Sequence, residues 1–497
     1  MLPTLGAVAR VSTLLWLRDL AALFHLSSKA VIVGVLGAFL SAVALGLVLA
    51  AAATQSSIGV YPPELKELLL RTAFSSSSVI GLLTILALAV SLPPRTSFQS
   101  LVDLLPVRQL ASQVGQLVPV LGLAATFGLA LSGVVVAVAR QVLEPLAFVA
   151  ALFAIAGNML ALQMVALGAF LALSSLLSRR LRIPHQYAVT TAAALVMAVG
   201  LGVFSRDVFT LSSDLPLGTA QPWGVADLLV TRLAVAAILH GGPFQLLGVG
   251  LWWAAGLVAL LTAGRLRHSS GSTGGIRLLT GTRPPQGAFL SSIWFEALIA
   301  VRTPQFIVTS LMAVLLVVGV RWLGTLSGMG PTAEQLASGL PAVPFALSMY
   351  AVGRTLKYRW LGAVVHGSWS WWIAPKAVAY FVVGASVAIL LWIFELALGM
   401  VSASDVLSVS IRAALVLGAA LLGGTLAPYS DEQGLSVAAS GFLTGLLVVG
   451  SSMFVAWAGS AASATMGVLA ELSLAGLFFA LYALIASVQI PNAARYV

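Results

Sequence analysis

The sequence predicts an all-α polytopic membrane protein, with about twelve transmembrane helices in two six-helix halves, each half preceded by an interfacial amphipathic helix. Composition gives the class. Of 497 residues, 60% are hydrophobic and only 8% charged, and mean hydropathy is +1.05; a soluble domain carries about 25% charge. The spacing of apolar runs gives the spans, because crossing a bilayer takes about 20 apolar residues. The restart of the pattern after a basic, glycine-rich segment gives the two halves.

Residues 1–29 include VARVSTLLWLRDLAALFHL, with apolar positions at helical spacing and Arg10, Arg18, Asp19 and Lys29 between them. That pattern predicts a helix lying in the membrane interface. Apolar runs follow at about Ala30–Ala52, Phe74–Leu92, Leu117–Val138, Leu146–Leu177, Tyr187–Phe204 and Pro243–Ala263. The fourth is long enough to tilt or to contain a break near Gly157-Asn158. Before the sixth, VADLLVTRLAVAAIL is amphipathic and is expected to lie on or re-enter the outer leaflet, and His240-Gly241-Gly242-Pro243 reads as the turn that opens the span.

The first half thus covers residues 1–263, and 264–287 (GRLRHSSGSTGGIRLLTGTRPPQG) reads as a flexible basic linker. The second half, 288–497, opens on another interfacial-helix candidate, FLSSIWFEALIAVR. Runs at about Pro304–Leu323, Gln335–Gly353, Ala377–Met400, Val406–Leu426, Leu435–Ala458 and Met466–Ile490 complete it. The halves match in layout while sharing little residue identity, so the duplication is one of hydropathy pattern.

Charge placement orients the chain. With the N-terminus inside, inward segments hold 18 of the 25 Lys and Arg residues. The positive-inside rule then places both termini in the cytoplasm. The net charge of +10 follows the membrane ends rather than one face, which argues against nucleic acid as a partner. There are no cysteines, so disulfides and thiolate metal sites are excluded. The five histidines are scattered, and no G-x-x-x-x-G-K-[ST] segment exists to cradle a phosphate. The sequence therefore predicts no catalytic residue, no metal and no cofactor in this chain. Acids and cations are scarce in the spans; Glu471, Glu395 and Arg412 come nearest, all toward span ends, and Glu471 is the candidate pore or substrate contact.

Two segments break the greasy pattern. Arg95–Gln116 (RTSFQSLVDLLPVRQLASQVGQ) and Arg354–Lys376 (RTLKYRWLGAVVHGSWSWWIAPK) each lie between the second and third spans of a half. The first offers Arg95, Asp103, Leu104, Leu105, Pro106 and Arg108; the second offers Arg354, Lys357, Arg359, Trp360, Trp369 and Lys376. Apolar anchors with a basic rim suit docking of a short helix into a partner's groove. An aromatic belt beside a positive-inside loop would also account for Trp371 and Trp372.

The amphipathic stretch ending in Leu105-Pro106, followed by Arg108 and a new span, resembles the cytosolic loop of type-2 permeases of bacterial ATP-binding-cassette exporters. The second loop departs from that pattern, with His366-Gly367 at the place of the Leu-Pro step. The resemblance implies a fused permease in the bacterial inner (plasma) membrane whose two loops dock on two copies of a separate nucleotide-binding ATPase subunit. It also implies that ATP and magnesium sit on that partner, and that the cargo is exported. Smooth apolar spans suit an amphipathic or hydrophobic compound or peptide. The alternative is a twelve-span secondary transporter performing ion-coupled efflux. A polytopic enzyme acting on lipids would need clustered carboxylates, which the sequence lacks.

Overall fold

A computed structural model describes residues 2–23, 27, 29–30, 33, 63–91, 109–209, 225–266, 282–325, 330–356, 371–429, 434–461 and 463–493. Among them there is no strand, and nine helices are long and apolar enough to cross a membrane. The protein is thus an all-α chain of the multi-pass membrane kind. It divides into two compact units, Met1–Ser272 and Thr273–Val497.

Unit 1 contains α1 (Leu2–Leu23), α2 (Pro63–Ser91), α3 (Gln109–Leu131), α4 (Gly133–Val142), α5 (Pro145–Arg179), α6 (His185–Phe209), α7 (Val230–His240) and α8 (Pro243–Leu266). Proline opens α2, α5 and α8, where its missing N–H would have no intrahelical partner and its fixed φ already suits a helix. Helix α5 runs unbroken through Gly157-Asn158. The expected third span is interrupted instead. Ser132, whose hydroxyl donates to the Gly128 carbonyl, separates α3 from α4. The amphipathic stretch before the sixth span forms a 3-10 turn at Val225–Leu228 and then α7, which packs on α2, α5 and α8. It ends at Gly241, whose φ of +65° is a left-handed cap that favours glycine.

Unit 2 contains α9 (Ala288–Val301), α10 (Pro304–Gly324), α11 (Gly330–Ala337), α12 (Ala351–Thr355), α13 (Ile373–Ala397), α14 (Val406–Leu426), α15 (Gly434–Ala461) and α16 (Ala464–Ala493). The run expected as a span at Gln335–Gly353 is not one α-helix. After α11 the backbone tightens into an 11-residue 3-10 helix, Leu340–Tyr350, that carries Pro341 and Pro344 and is buried at eight positions. Runs beyond 3–4 residues are uncommon in this geometry. Hydropathy cannot register the difference, because an apolar 3-10 helix and an apolar α-helix bury the same side chains.

Within each unit the helices pair in a similar order. In unit 1, α1 packs on α3, α2 on α3 and α5, and α5 on α6 and α8. In unit 2, α9 packs on α13, the 3-10 helix on α13 and α14, and α14 on α15 and α16. The units differ in the remaining pair: α2 packs on α6, whereas α15 packs on α16.

Candidate functional site

The described residues bring one concentrated group of charged and aromatic side chains together, at the end of unit 2 where α9, α10, α12 and α13 meet. Helix α13 begins just after Trp372, with Pro375 tolerated in its first turn. The next residue, Lys376, points inward and is fully buried. Its Nζ lies 2.6 Å from Glu296 Oε2 of α9 and donates to Thr355 Oγ1 of α12 at 2.7 Å. It also stands 5.6 Å from the centroid of the Trp372 ring. The contact with Glu296 is an ion pair without the angle of a directed hydrogen bond. Burying a lone ammonium here would be prohibitive, so Glu296, itself only 8% exposed, is what allows Lys376 to turn inward.

Arg354 anchors the other side. Its guanidinium donates to Gln305 Oε1 of α10 and lies 5.5 Å from the ring centroids of both Tyr350 and Tyr429. Those rings meet edge to face at 5.3 Å. Gly353 lets this happen: a Cβ there would fall 2.1 Å from the Tyr429 carbonyl oxygen. Two further ties complete the base. The Tyr482 hydroxyl of α16 donates to the Ile373 carbonyl at 3.2 Å, and Phe289 of α9 meets Trp371 edge to face at 6.1 Å. The segment from Arg354 to Lys376 is therefore closed at its base by the Thr355–Lys376 hydrogen bond, and each terminal cation is fastened to a different helix.

Of the residues the sequence singled out, Arg354 and Lys376 are brought together here. Both turn into the unit rather than forming an exposed basic rim, for the partners just named. Lys357, Arg359, Trp360 and Trp369 lie outside the described residues, as do Arg95, Asp103, Leu104, Leu105, Pro106 and Arg108. Glu471 stands apart on α16, half-buried, within electrostatic reach of Arg412, whose Nη1 donates to Ser338 Oγ at 2.5 Å. Glu395, near the end of α13, is fully buried with neither carboxylate oxygen hydrogen-bonded. Sequence reading missed Glu296, Gln305, Tyr350, Thr355 and Tyr429. For Glu296 a signal existed, since it is the lone acid of an otherwise apolar helical stretch.

Among the described residues no group of three His, Cys, Asp or Glu side chains could hold a metal ion. The chemistry at hand is mechanical and electrostatic: a buried ion pair and a cation held between two tyrosines, joining the ends of several helices. Comparison with known protein families, with curated proteins and with solved structures finds no match to this chain.

Proposed function

We propose that the chain is the transmembrane permease subunit of an ATP-binding-cassette transporter of the bacterial plasma membrane. In this reading twelve spans form two six-span halves with both termini in the cytoplasm, and the cargo is an amphipathic or hydrophobic compound or peptide that is exported. ATP and magnesium are bound by two copies of a separate ATPase subunit, which grip the loops Arg95–Gln116 and Arg354–Lys376. The observation that carries the reading is the closed base of the second loop. A push on a loop joined to the core only by flexible chain would be dissipated. Here both ends are fixed, through Arg354 to α10 and through Lys376 to α9 and α12, so displacement of the loop is passed to the helices behind it.

The similar pairing of helices in the two units also supports the reading. In each unit the helix clasped by the opening helix is the one into which the loop runs: α3 for the first loop and α13 for the second. The direct test is affinity purification of the chain expressed with its native operon. Co-purification of a nucleotide-binding subunit is expected, and its absence would sink the reading.

A second reading, ion-coupled efflux, is favoured by one observation, the buried and unpartnered carboxyl group of Glu395. Transport that an uncoupler abolishes, that ATP depletion leaves intact and that Glu395→Gln eliminates would establish it over the first.

A further inference from the structure

A second polar feature lies in unit 1, in the seam where α2 packs on α5. Ser78 is the fourteenth residue of the 26-residue apolar stretch Leu65–Val90, and Asn158 and Gln163 flank the midpoint of the 35-residue α5. Both amides are buried, at 2% and 0% exposure. Asn158 Nδ2 donates to Ser78 Oγ at 3.1 Å, and Gln163 Nε2 donates to the Gly81 carbonyl and to Thr84 Oγ1, each at 3.3 Å.

These contacts fix which way the amides face. The Gly81 carbonyl can only accept, so Gln163 must present its nitrogen to it. The Ser77 and Ser78 hydroxyls both donate to the Phe74 carbonyl, and Thr84 donates to Gly81. Ser78 directs its hydrogen to Phe74 and accepts from Asn158 Nδ2. The hydroxyl hydrogens of Ser77, Ser78 and Thr84 are thus in use, while Asn158 Oδ1 and Gln163 Oε1 have no partner. The seam has spare acceptors at a depth where an unpaired acceptor is costly.

We propose that the α2–α5 seam of unit 1 binds an uncharged hydrogen-bond donor, a hydroxyl or amide N–H on an otherwise apolar molecule, through Asn158 Oδ1 and Gln163 Oε1. A cation is disfavoured because neither α2 nor α5, the two helices of the seam, places a carboxylate beside it to offset its desolvation. The charges of α2 lie before Thr72, α3 has none, and the only one on α5 is Arg179 at its last residue. The neighbouring side chain is suited to making room. Met159 covers the seam, lying where a Cβ on Gly81 or on Gly128 would be, and its unbranched thioether repacks readily. The corresponding pair in unit 2 is sealed instead, with Gly424 against the Met349 carbonyl and Ser348 donating to the Phe345 and Leu417 carbonyls. As a cargo site the seam extends the transporter reading above, but its binding chemistry holds without any ATPase.

The chain has no native cysteine, so Ser78→Cys supplies a single reporter thiol in the full-length protein. Its alkylation by N-ethylmaleimide would be timed in lipid vesicles with 1-decanol or with the methyl ether of decanol, which differs in lacking the donor. Ser348→Cys in unit 2 controls for effects on the bilayer, and Thr84→Cys reports on the same seam should Ser78→Cys not fold. The expected result is about fivefold slower alkylation with the alcohol than with the ether, the scale of one hydrogen bond. That difference should vanish on adding Asn158→Leu and Gln163→Leu. A thiol that never reacts, equal effects of alcohol and ether, or protection that survives loss of both amides would each overturn the proposal, the last two assigning the acceptors to structural water or to packing.

Discussion

The two units use different chemistry at corresponding helix contacts. Where α1 meets α3, Gly115 allows Val8 and the Leu5 carbonyl to approach so closely that an added Cβ would lie 2.9 Å from Val8 and 3.1 Å from the carbonyl oxygen. Where α9 meets α13, small apolar side chains such as Ala300 and Ala377 share one core, and the contact adds the Lys376–Glu296 ion pair beside a pair of aromatic rings. A glycine contact of this kind is stabilised by dispersion, and it tolerates small displacements poorly because packed atoms have no slack. A buried ion pair contributes little net stability, since desolvation offsets its attraction, but it specifies a partner and a register. The contrast teaches that unit 1 is held at this point by shape and unit 2 by charge. Only the second can be undone without changing volume.

The largest expected effect tests that division. Lys376→Met keeps most of the volume but leaves Glu296 facing an apolar wall. Destabilisation of about 3 kcal/mol is expected, the scale of an abandoned buried charge. Thermal unfolding of the full chain in lipid would measure it. Adding Glu296→Leu should restore most of that stability. A double variant as unstable as the single one would show that the pair acts through packing and that the contrast is wrong.

The next effect is steric and compares the units directly. Gly353→Ala drives a Cβ into the Tyr429 backbone, which cannot step aside, and a loss of about 2–3 kcal/mol follows from such overpacking. Gly115→Ala meets Val8 at 2.9 Å and the Leu5 carbonyl at 3.1 Å, less closely than Gly353 meets Tyr429, so about 1–2 kcal/mol is expected from the same cause. Equal effects would mean that the base of the Arg354–Lys376 segment is no more tightly built than the α1–α3 contact.

Much of this architecture was legible in the sequence, and the rest was hidden for identifiable reasons. The runs at Pro304–Leu323 and Pro243–Ala263 became α10 and α8, because proline marks their starts and the following residues are continuously apolar. The break at Ser132 and the 3-10 helix at Leu340–Tyr350 were not legible, since hydropathy is blind to how backbone hydrogen bonds are arranged. Within the site, cations beside apolar runs read as a solvated rim. Arg354 and Lys376 turn inward because of Gln305 and Glu296, which are 49 and 80 residues away in sequence; Glu296 stands out as the lone acid of its helix, but nothing local says which cation it meets.

A smaller effect separates charge from geometry at Arg354. Arg354→Lys keeps the cation but replaces a planar guanidinium, which can stack on Tyr350 and Tyr429 while donating to Gln305, with a compact ammonium that cannot do both. About 1 kcal/mol of stability should be lost, the scale of cation–π contacts at partly exposed sites. Arg354→Met, which removes the charge too, should lose only slightly more if shape matters most. A much larger loss would show that the charge itself holds α10 to α12.

The smallest effect is expected in unit 1, where a salt bridge is also present but in a different setting. Arg71 and Glu67 form an i,i+4 pair on α2 with side chains 34% and 29% exposed. Water can solvate both ions, and the pair spans a single turn of one helix rather than joining two. Within-helix i,i+4 pairs that water still reaches contribute about 0.3–0.5 kcal/mol, less as salt rises. Arg71→Gln should therefore shift the unfolding midpoint barely above error, in low salt and not at all in high salt. Lys376→Met should remain destabilised in both, because a buried pair is poorly screened. If the two variants respond alike to salt, the ion pair of unit 2 is open to water, and the closed base of the Arg354–Lys376 segment loses the dry surroundings on which the coupling role proposed for it depends.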